Sequence, residues 1–320
     1  MPQFKENIIN YYKETRMLND FPKIKKTGAI SPYGEVTPFY FNGAMYRLEL
    51  RDHTGGLDSA SDIRALIREY YTGKIIATLG EGCYYYSFYQ EGDKAYVLGT
   101  ERQNGSFCGD TIYIFESEDL VNWKKRKLLE RKGWKYYNTS LTKCEDGYVI
   151  LMEASEGAGE EIGVPFTFFF AKSKDMVNWE FMPTETAFSR NIYNGGPWMK
   201  YANGYFYVIS VTELPFQRYT NYLYRTKDFL TWEVGKYNPL LSPSLEDRKL
   251  SPYACELDSG WQEKIKDMFI ASSSDFDCCY DPENKITRMC YLLGNQLGDY
   301  YMAEAEIACT VEEFLENNFI

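Results

Sequence analysis

Acidic residues at the ends of apolar runs are the side chains in this chain best placed to do chemistry. Glu153 follows Tyr148–Met152, and Glu213 follows Tyr205–Val211 with one Thr between. A carboxyl so placed loses water on folding, which raises its pKa toward the range of a proton donor. Asp275 and Asp277, in Ser274-Asp-Phe-Asp277, alternate with period two and share one face of a strand. One protonated and one ionised carboxyl make the minimum set for general acid/base catalysis. Arg102 and Gln296 also stand at strand ends and, with Arg47, could hold a ligand's hydroxyls, while Trp198 offers a flat stacking surface. Each has a plainer reading. Strand-end carboxylates often accept turn N–H groups or pair with Arg, Arg47 and Arg102 neutralise Glu49 and Glu101, and Trp198 belongs to a core. His53, the single histidine, reads as a solvated loop residue.

The elements that would position these groups repeat. Ser117-Glu-Asp-Leu-Val-Asn-Trp123, Ser173-Lys-Asp-Met-Val-Asn-Trp179 and Thr226-Lys-Asp-Phe-Leu-Thr-Trp232 each follow an apolar or aromatic run. Each predicts a strand ending in a turn whose Asp binds its own backbone, with the Trp starting an outer strand. Ahead of such segments come hairpins: Val36–Phe41 with Ala44–Leu50, Tyr84–Gln90 with Ala95–Gly99, and Ser140–Lys143 with Tyr148–Met152. Trp198–Tyr201 with Tyr205–Val211 and Phe276–Tyr280 with Arg288–Leu293 follow the same plan. Asn-Gly or Asp-Gly turns close three of them, at Asn42, Asp146 and Asn203. Five hairpins, most followed by two further strands, predict an all-β, five-bladed β-propeller over residues 29–320. Residues 1–28 read as a short N-terminal amphipathic helix plus an extended arm, Asp62–Tyr71 as a helix on the first blade's edge, and Thr310–Ile320 as a closing helix.

Composition narrows the partners. A net charge of −11 argues against nucleic acid and anionic membranes, so a small neutral ligand fits better. No stretch has the length and apolarity of a membrane span, and the cytoplasm is the expected location. The eight cysteines show no CxxC pair and read as reduced thiols. With one His and no ligand-spaced Cys, zinc is not expected, no cofactor is called for, and nothing singles out a cation.

The Ser/Thr-x-Asp-hydrophobic-x-x-Trp turns resemble those of five-bladed propeller glycoside hydrolases, notably families 43 and 32, over roughly Ile30 to Glu306. The run from Gly163 and the late SDFDCCY and GNQLG segments resemble a bacterial branch lacking the usual Asp/Asp/Glu set. The resemblance implies an inverting hydrolase of a small oligosaccharide or glycoside, with an Asp base, a tuning Asp and a Glu acid at inner-strand starts. Its base position falls on Glu35, its middle Asp on Asn138 and its acid on Gly195 of Asn194-Gly-Gly-Pro-Trp198. Only the first keeps a carboxylate. The candidate catalytic set is therefore Glu153, Glu213, Asp275 and Glu35, with Asn138, Trp198, Arg102, Arg47, Asp277 and Gln296 binding substrate. Two other functions compete: a glycoside phosphorylase, holding phosphate with Arg47, Arg102 and Arg218, and a non-catalytic sugar-binding propeller.

Overall fold

The computed structural model describes residues 22–51, 63–103, 106–162, 166–189, 193–216 and 218–319. Strand β1 (Lys25–Ser31) comes first. Four groups of four strands follow: β2 to β5 (Val36–Phe41, Ala44–Arg51, Arg64–Glu69, Ile75–Leu79), then β6 to β9 (Cys83–Glu91, Lys94–Glu101, Thr111–Ser117, Lys124–Glu130). The next are β10 to β13 (Trp134–Cys144, Gly147–Glu156, Thr167–Ser173, Trp179–Phe181) and β14 to β17 (Asn194–Ala202, Tyr205–Leu214, Arg218–Thr226, Trp232–Val234). The last are β18 to β20 (Ser272–Asp281, Ile286–Gly294, Tyr300–Ile307). The first three groups are separate four-stranded antiparallel sheets. The remaining strands form one eight-stranded sheet, in which β1 pairs with β20 and the two halves meet at a parallel pair, Tyr219 with Ser272.

The repeated turns form as their sequence dictates. Asp119 accepts the N–H groups of Val121 and Asn122 at 2.9 and 2.7 Å, Asp175 those of Val177 and Asn178 at 2.8 Å each, and Asp228 those of Leu230 and Thr231 at 2.9 and 2.8 Å. Leu120, Met176 and Phe229 turn left-handed at φ 62°, 56° and 60° and drop their side chains into the core. Trp179 and Trp232 start the outer strands β13 and β17 as expected, and Trp123 immediately precedes β9.

Apolar residues fill the space between successive sheets. One core joins Leu48 and Ile67 to Tyr86 and Val97, a second Leu98 and Ile114 to Leu141 and Ile150, and a third Leu151 and Phe170 to Met199 and Val208. A fourth joins Tyr207 and Leu223 to Tyr291 and Tyr301. The fifth brings Ile30, Cys290 and Met302 of the last group against Val36 and Met45 of the first. Helix α1 (Gly157–Ile162) follows β11, and α2 (Ser259–Asp267) precedes β18. The expected closing helix is α3 (Val311–Asn317), opened by a Thr310–Glu313 capping box, with Phe314 and Leu315 in the fourth core.

Two expectations for the ends need correction or fall away. The stretch read as a helix over Asp62–Tyr71 contains strand β4, paired on both sides. Its Ala65, Leu66, Ile67 and Arg68 are all buried, and a strand covered on both faces loses the alternation that marks a half-buried one. Residues 1–21, where the helical arm was expected, lie outside the described residues, and the arm's end at Lys25–Ser31 is strand β1.

Candidate active site

The first strands of four groups share an irregularity near their starts. Pairing slips between Tyr84 and Ser87, Tyr136 and Thr139, Gly195 and Trp198, and Ser274 and Asp277. A β-bulge re-aims the side chains within it, and bulges concentrate beside active sites. The bulged residues include Tyr85, Asn138, Gly196 and Asp275, of which Tyr85, Gly196 and Asp275 are left-handed at φ 54°, 51° and 45°. All four line one cavity of about 450 Å³, together with Glu35 from the turn before β2 and Glu153 from β11.

Glu153 lies at the centre of the acidic groups. It is 3% exposed, and Gly196 N–H donates to its Oε2 at 3.0 Å. Burial first, then the charge of Asp275, outweigh the N–H groups of Gly196 and Asn138 and push its pKa up to about 8. Asn138 also donates through its side-chain amide to Glu35 Oε1 at 2.9 Å, so one residue touches both carboxyls. On the other side, a Cβ added to Gly196 would lie 2.7 Å from Asp275 Oδ1, and one added to Gly195 would lie 3.0 Å from Glu153 Oε1. The glycine pair is the space into which the Glu153 and Asp275 carboxyls fit. Burial raises the pKa of Asp275 against the hydroxyl of Ser274, which donates to it at 2.7 Å. Asp277, expected on the same strand face as Asp275, does not line the cavity, because the bulge turns Asp275 away from strand alternation; it accepts from Thr37 Oγ1 at 2.7 Å and is raised to about 8, mainly by burial.

The wall is aromatic. Ring contacts run without a break from Phe107 through Tyr84, Tyr85, Tyr137, Phe166 and Tyr193 to Tyr219, with centroids 4.6 to 5.5 Å apart. Tyr85 feels both Glu35 and Glu153, and Tyr193 feels Glu153 and Asp275; burial before all holds both phenols protonated as hydrogen-bond donors. Sequence reasoning missed both. For Tyr85 a signal existed: it stands seven residues ahead of the Gly92 turn, as Glu35 does ahead of Asn42.

Several expected site residues stand elsewhere. Glu213 is exposed, because β15 carries its apolar run only as far as Thr212 before emerging, so the desolvation expected of an acid does not occur there. Arg47 is buried away from the cavity, 3.3 Å from Glu49 and donating to the Tyr253 carbonyl at 3.0 Å. Trp198 packs against the fourth core. Arg102 lies over the Phe107 ring at 5.6 Å, and Arg218 is exposed with its Nε on the Pro215 carbonyl at 3.2 Å. Neither lines the cavity, so the phosphate-holding trio does not converge on it. Gln296 does line it and donates to Ser272 Oγ at 2.8 Å. His53 lies outside the described residues. Among the described residues no cluster of three His, Cys, Asp or Glu is arranged to hold a metal, and no helix is long and apolar enough to cross a membrane.

No family model and no curated protein sequence matches the chain. Solved structures do. A thermostable family-43 glycoside hydrolase superposes with a TM-score of 0.57 at 13% identity, covering 87% of this chain and 90% of its own. The family-32 β-fructofuranosidase BmSUC1 of Bombyx mori gives 0.52 at 13% identity over 88% of this chain and 61% of its own. The chain has the fold of these glycoside hydrolases. An N-acetylgalactosamine deacetylase from F. plautii, solved with blood group B trisaccharide, shares it too, with a TM-score of 0.55 at 13% identity over 88% of this chain and 95% of its own. The fold therefore hosts more than one chemistry, and function has to be argued from the site.

Proposed function

We propose that the five groups of strands close into a five-bladed propeller whose mouth hydrolyses a glycosidic bond of a small oligosaccharide. The run of cores from each group to the next, and from the last back to the first, supports the closure. One observation carries the chemistry: a buried Glu153, its pKa raised by burial to about 8, with Asp275 beside it and Glu35 joined to it through Asn138. Glu153 donates its proton to the leaving oxygen. Glu35 draws the proton from an attacking water, its oxygen oriented by the Asn138 amide, and Asp275 holds a substrate hydroxyl. Attack by water in one displacement inverts the anomeric centre and needs acid and base roughly 6.5–9.5 Å apart. The wall of rings suits the apolar faces of sugars, whose hydroxyls meet Tyr85, Tyr193, Gln296 and the carboxyls.

The test is hydrolysis of a panel of nitrophenyl glycosides and oligosaccharides, with and without phosphate, by the unaltered protein and by Glu153→Gln. Phosphate-independent release, lost in the variant, with product of inverted configuration by NMR, is the expected result. Binding without turnover would sink the hydrolase and favour a sugar-binding propeller; phosphate-dependent release would favour a phosphorylase.

A further inference from the structure

Glu35, Glu153 and Asp275 line one cavity, and among the described residues of its wall there is no Lys, Arg or His. The chain has 35 Lys and Arg, and it sets some of them against other buried carboxylates: Arg68 lies 2.9 Å from Glu49, and Lys26 lies 2.6 Å from Asp247. An ionised carboxyl out of water is costly unless a positive charge faces it. The two innermost acids of the cavity are treated differently. Gly196 lies against both, its N–H on Glu153 Oε2 at 3.0 Å and the space of its missing side chain taken by Asp275 Oδ1. Asp275 accepts from the neutral Ser274 hydroxyl at 2.7 Å, and its charge is felt by Glu153, by Tyr193 and, off the cavity, by Asp277.

The rest of the wall suits the same sign of ligand. Tyr85, Tyr137, Phe166, Tyr193 and Tyr219 line the cavity, and the faces of such rings attract cations, the more so where water is excluded. A cleft whose ionisable side chains are acidic, in a molecule of net charge −11, focuses its field and draws in positive ligands. Uronates and sugar phosphates meet repulsion there.

Resting on the glycosidase reading, we propose that the substrate is a cationic glycoside, whose sugar ring in the cavity carries a protonated amine that pairs with Asp275. The ammonium takes the place of the hydroxyl that Asp275 would hold on a neutral sugar. It supplies the positive charge that the described wall lacks, so Asp275 is ionised in the complex. The pair is neutral as a whole. Glu153 keeps its proton through burial, the larger cause of its raised pKa, and remains the donor to the leaving oxygen. An N-acetyl group removes the charge, and a sugar so modified loses this contact.

Calorimetric binding to the unaltered protein is compared for glucosamine and galactosamine, for glucose and galactose, for the two N-acetylated amines, and for glucuronate and galacturonate. One of the amines should bind about tenfold or more tighter than its parent sugar and its N-acetyl form, the ratio a charge-assisted hydrogen bond provides, and the uronates should bind more weakly than the parents. Asp275→Asn removes the charge at nearly constant shape, and Asn tolerates the left-handed backbone there, φ 45°. The ratio of amine to parent affinity should fall in it to about twofold or less, with circular dichroism checking the fold; the comparison of ligands on the unaltered protein stands without the variant. Amines bound no tighter than their parents, a preference that survives Asp275→Asn, or no binding by either amine overturns the cationic substrate. Amine-selective binding with no release of nitrophenol from the matching nitrophenyl aminoglycoside overturns only the hydrolase reading. Turnover of neutral nitrophenyl glycosides with no preference for amines overturns only the cationic substrate.

Discussion

Glu153 and Glu49 occupy the same place in two repeats, six residues past the turn glycines Gly147 and Gly43, and the fold treats them in opposite ways. Glu49 is fully buried but lies 2.9 Å from Arg68 and 3.3 Å from Arg47. Glu153 meets backbone N–H groups and another carboxyl, so the proton stays on it. The equivalent position in β15 is Ser210, not Glu213, which stands three residues further on. The burial of Glu153 was legible because it follows its apolar run directly; Glu213 looked alike because counting from the run's end, rather than from the turn, hides that offset. The pH profile of turnover follows from Glu153. kcat/KM should fall as pH rises through about 8, where the donor loses its proton, and Glu153→Gln should leave no more than about a hundredth of the activity. Stability shares the sign. The folded protein binds a proton that the unfolded chain releases above the ordinary carboxyl range, so stability falls as pH rises from about 5 through 8. Glu153→Gln should flatten part of that fall in chemical denaturation followed across pH. Gly195→Ala tests the space beside the carboxyl: a Cβ 2.7 Å from the Tyr193 hydroxyl and 3.0 Å from Glu153 Oε1 forces both to move. Activity should drop at least tenfold with little change in melting temperature, and an unaltered kcat would remove Glu153 from the chemistry.

The strands and turns were the most legible layer, because hairpin turns and Asp-led turns are local and their residues satisfy nearby N–H groups whatever the rest of the chain does. Strand β4 was not, since its four buried residues in a row carry no period, and only pairing on both sides makes them a strand. The bulges in the first strands were equally hidden. Nothing in Tyr84-Tyr-Tyr86 marks the middle residue as left-handed, yet that turn of the chain sends Tyr85 into the cavity. The repeated Asp can be tested as a turn-builder. Asp175 accepts two backbone N–H groups and the Asn178 side-chain amide, and these hold its pKa well below the usual carboxylate range. Its stabilisation is therefore present above the unfolded carboxyl's pKa near 4 and is lost as pH falls through the folded value. Asp175→Ala should lower the melting temperature at pH 7, the gap should shrink toward pH 2, and Asp175→Asn should recover part of it. A gap independent of pH would mean that the carboxylate's charge contributes nothing to the turn.

At the scale of the whole molecule, the strand nearest the start of the described chain completes the last group: Lys25–Ser31, where an extended arm was expected to end, is built into the sheet. Strand β1 lies on β20 through Lys25–Glu306, Ala29–Ala303 and Ser31–Met302, while Ala29 also exchanges backbone hydrogen bonds with Lys249 and Ser251. Helix α3 adds a second tie across the last two groups: Glu316 meets Tyr207 and Arg225 and Glu312 meets Lys200, while Phe314 and Leu315 pack among residues of β15, β19 and β20. Sequence pattern gave the strand groups but not these ties, because pairing between residues nearly 300 positions apart has no local signature. Gly28 is the weak point of the tie. It sits at φ 114°, and a Cβ there runs into the Lys249 carbonyl, so only glycine lets β1 pass under the loop. Gly28→Ala should cost about 1–3 kcal/mol through strain at that backbone position. Under the proposed closure of the ring the cost is global, because opening the junction made by the fifth core would release β2, whose leading turn carries Glu35. Far-ultraviolet dichroism, near-ultraviolet tyrosine signals and loss of turnover should then shift together to one lower melting temperature. If β1 detached in a separate early transition while turnover melted at the original temperature, β1 would be an appendage and the ring would not depend on it.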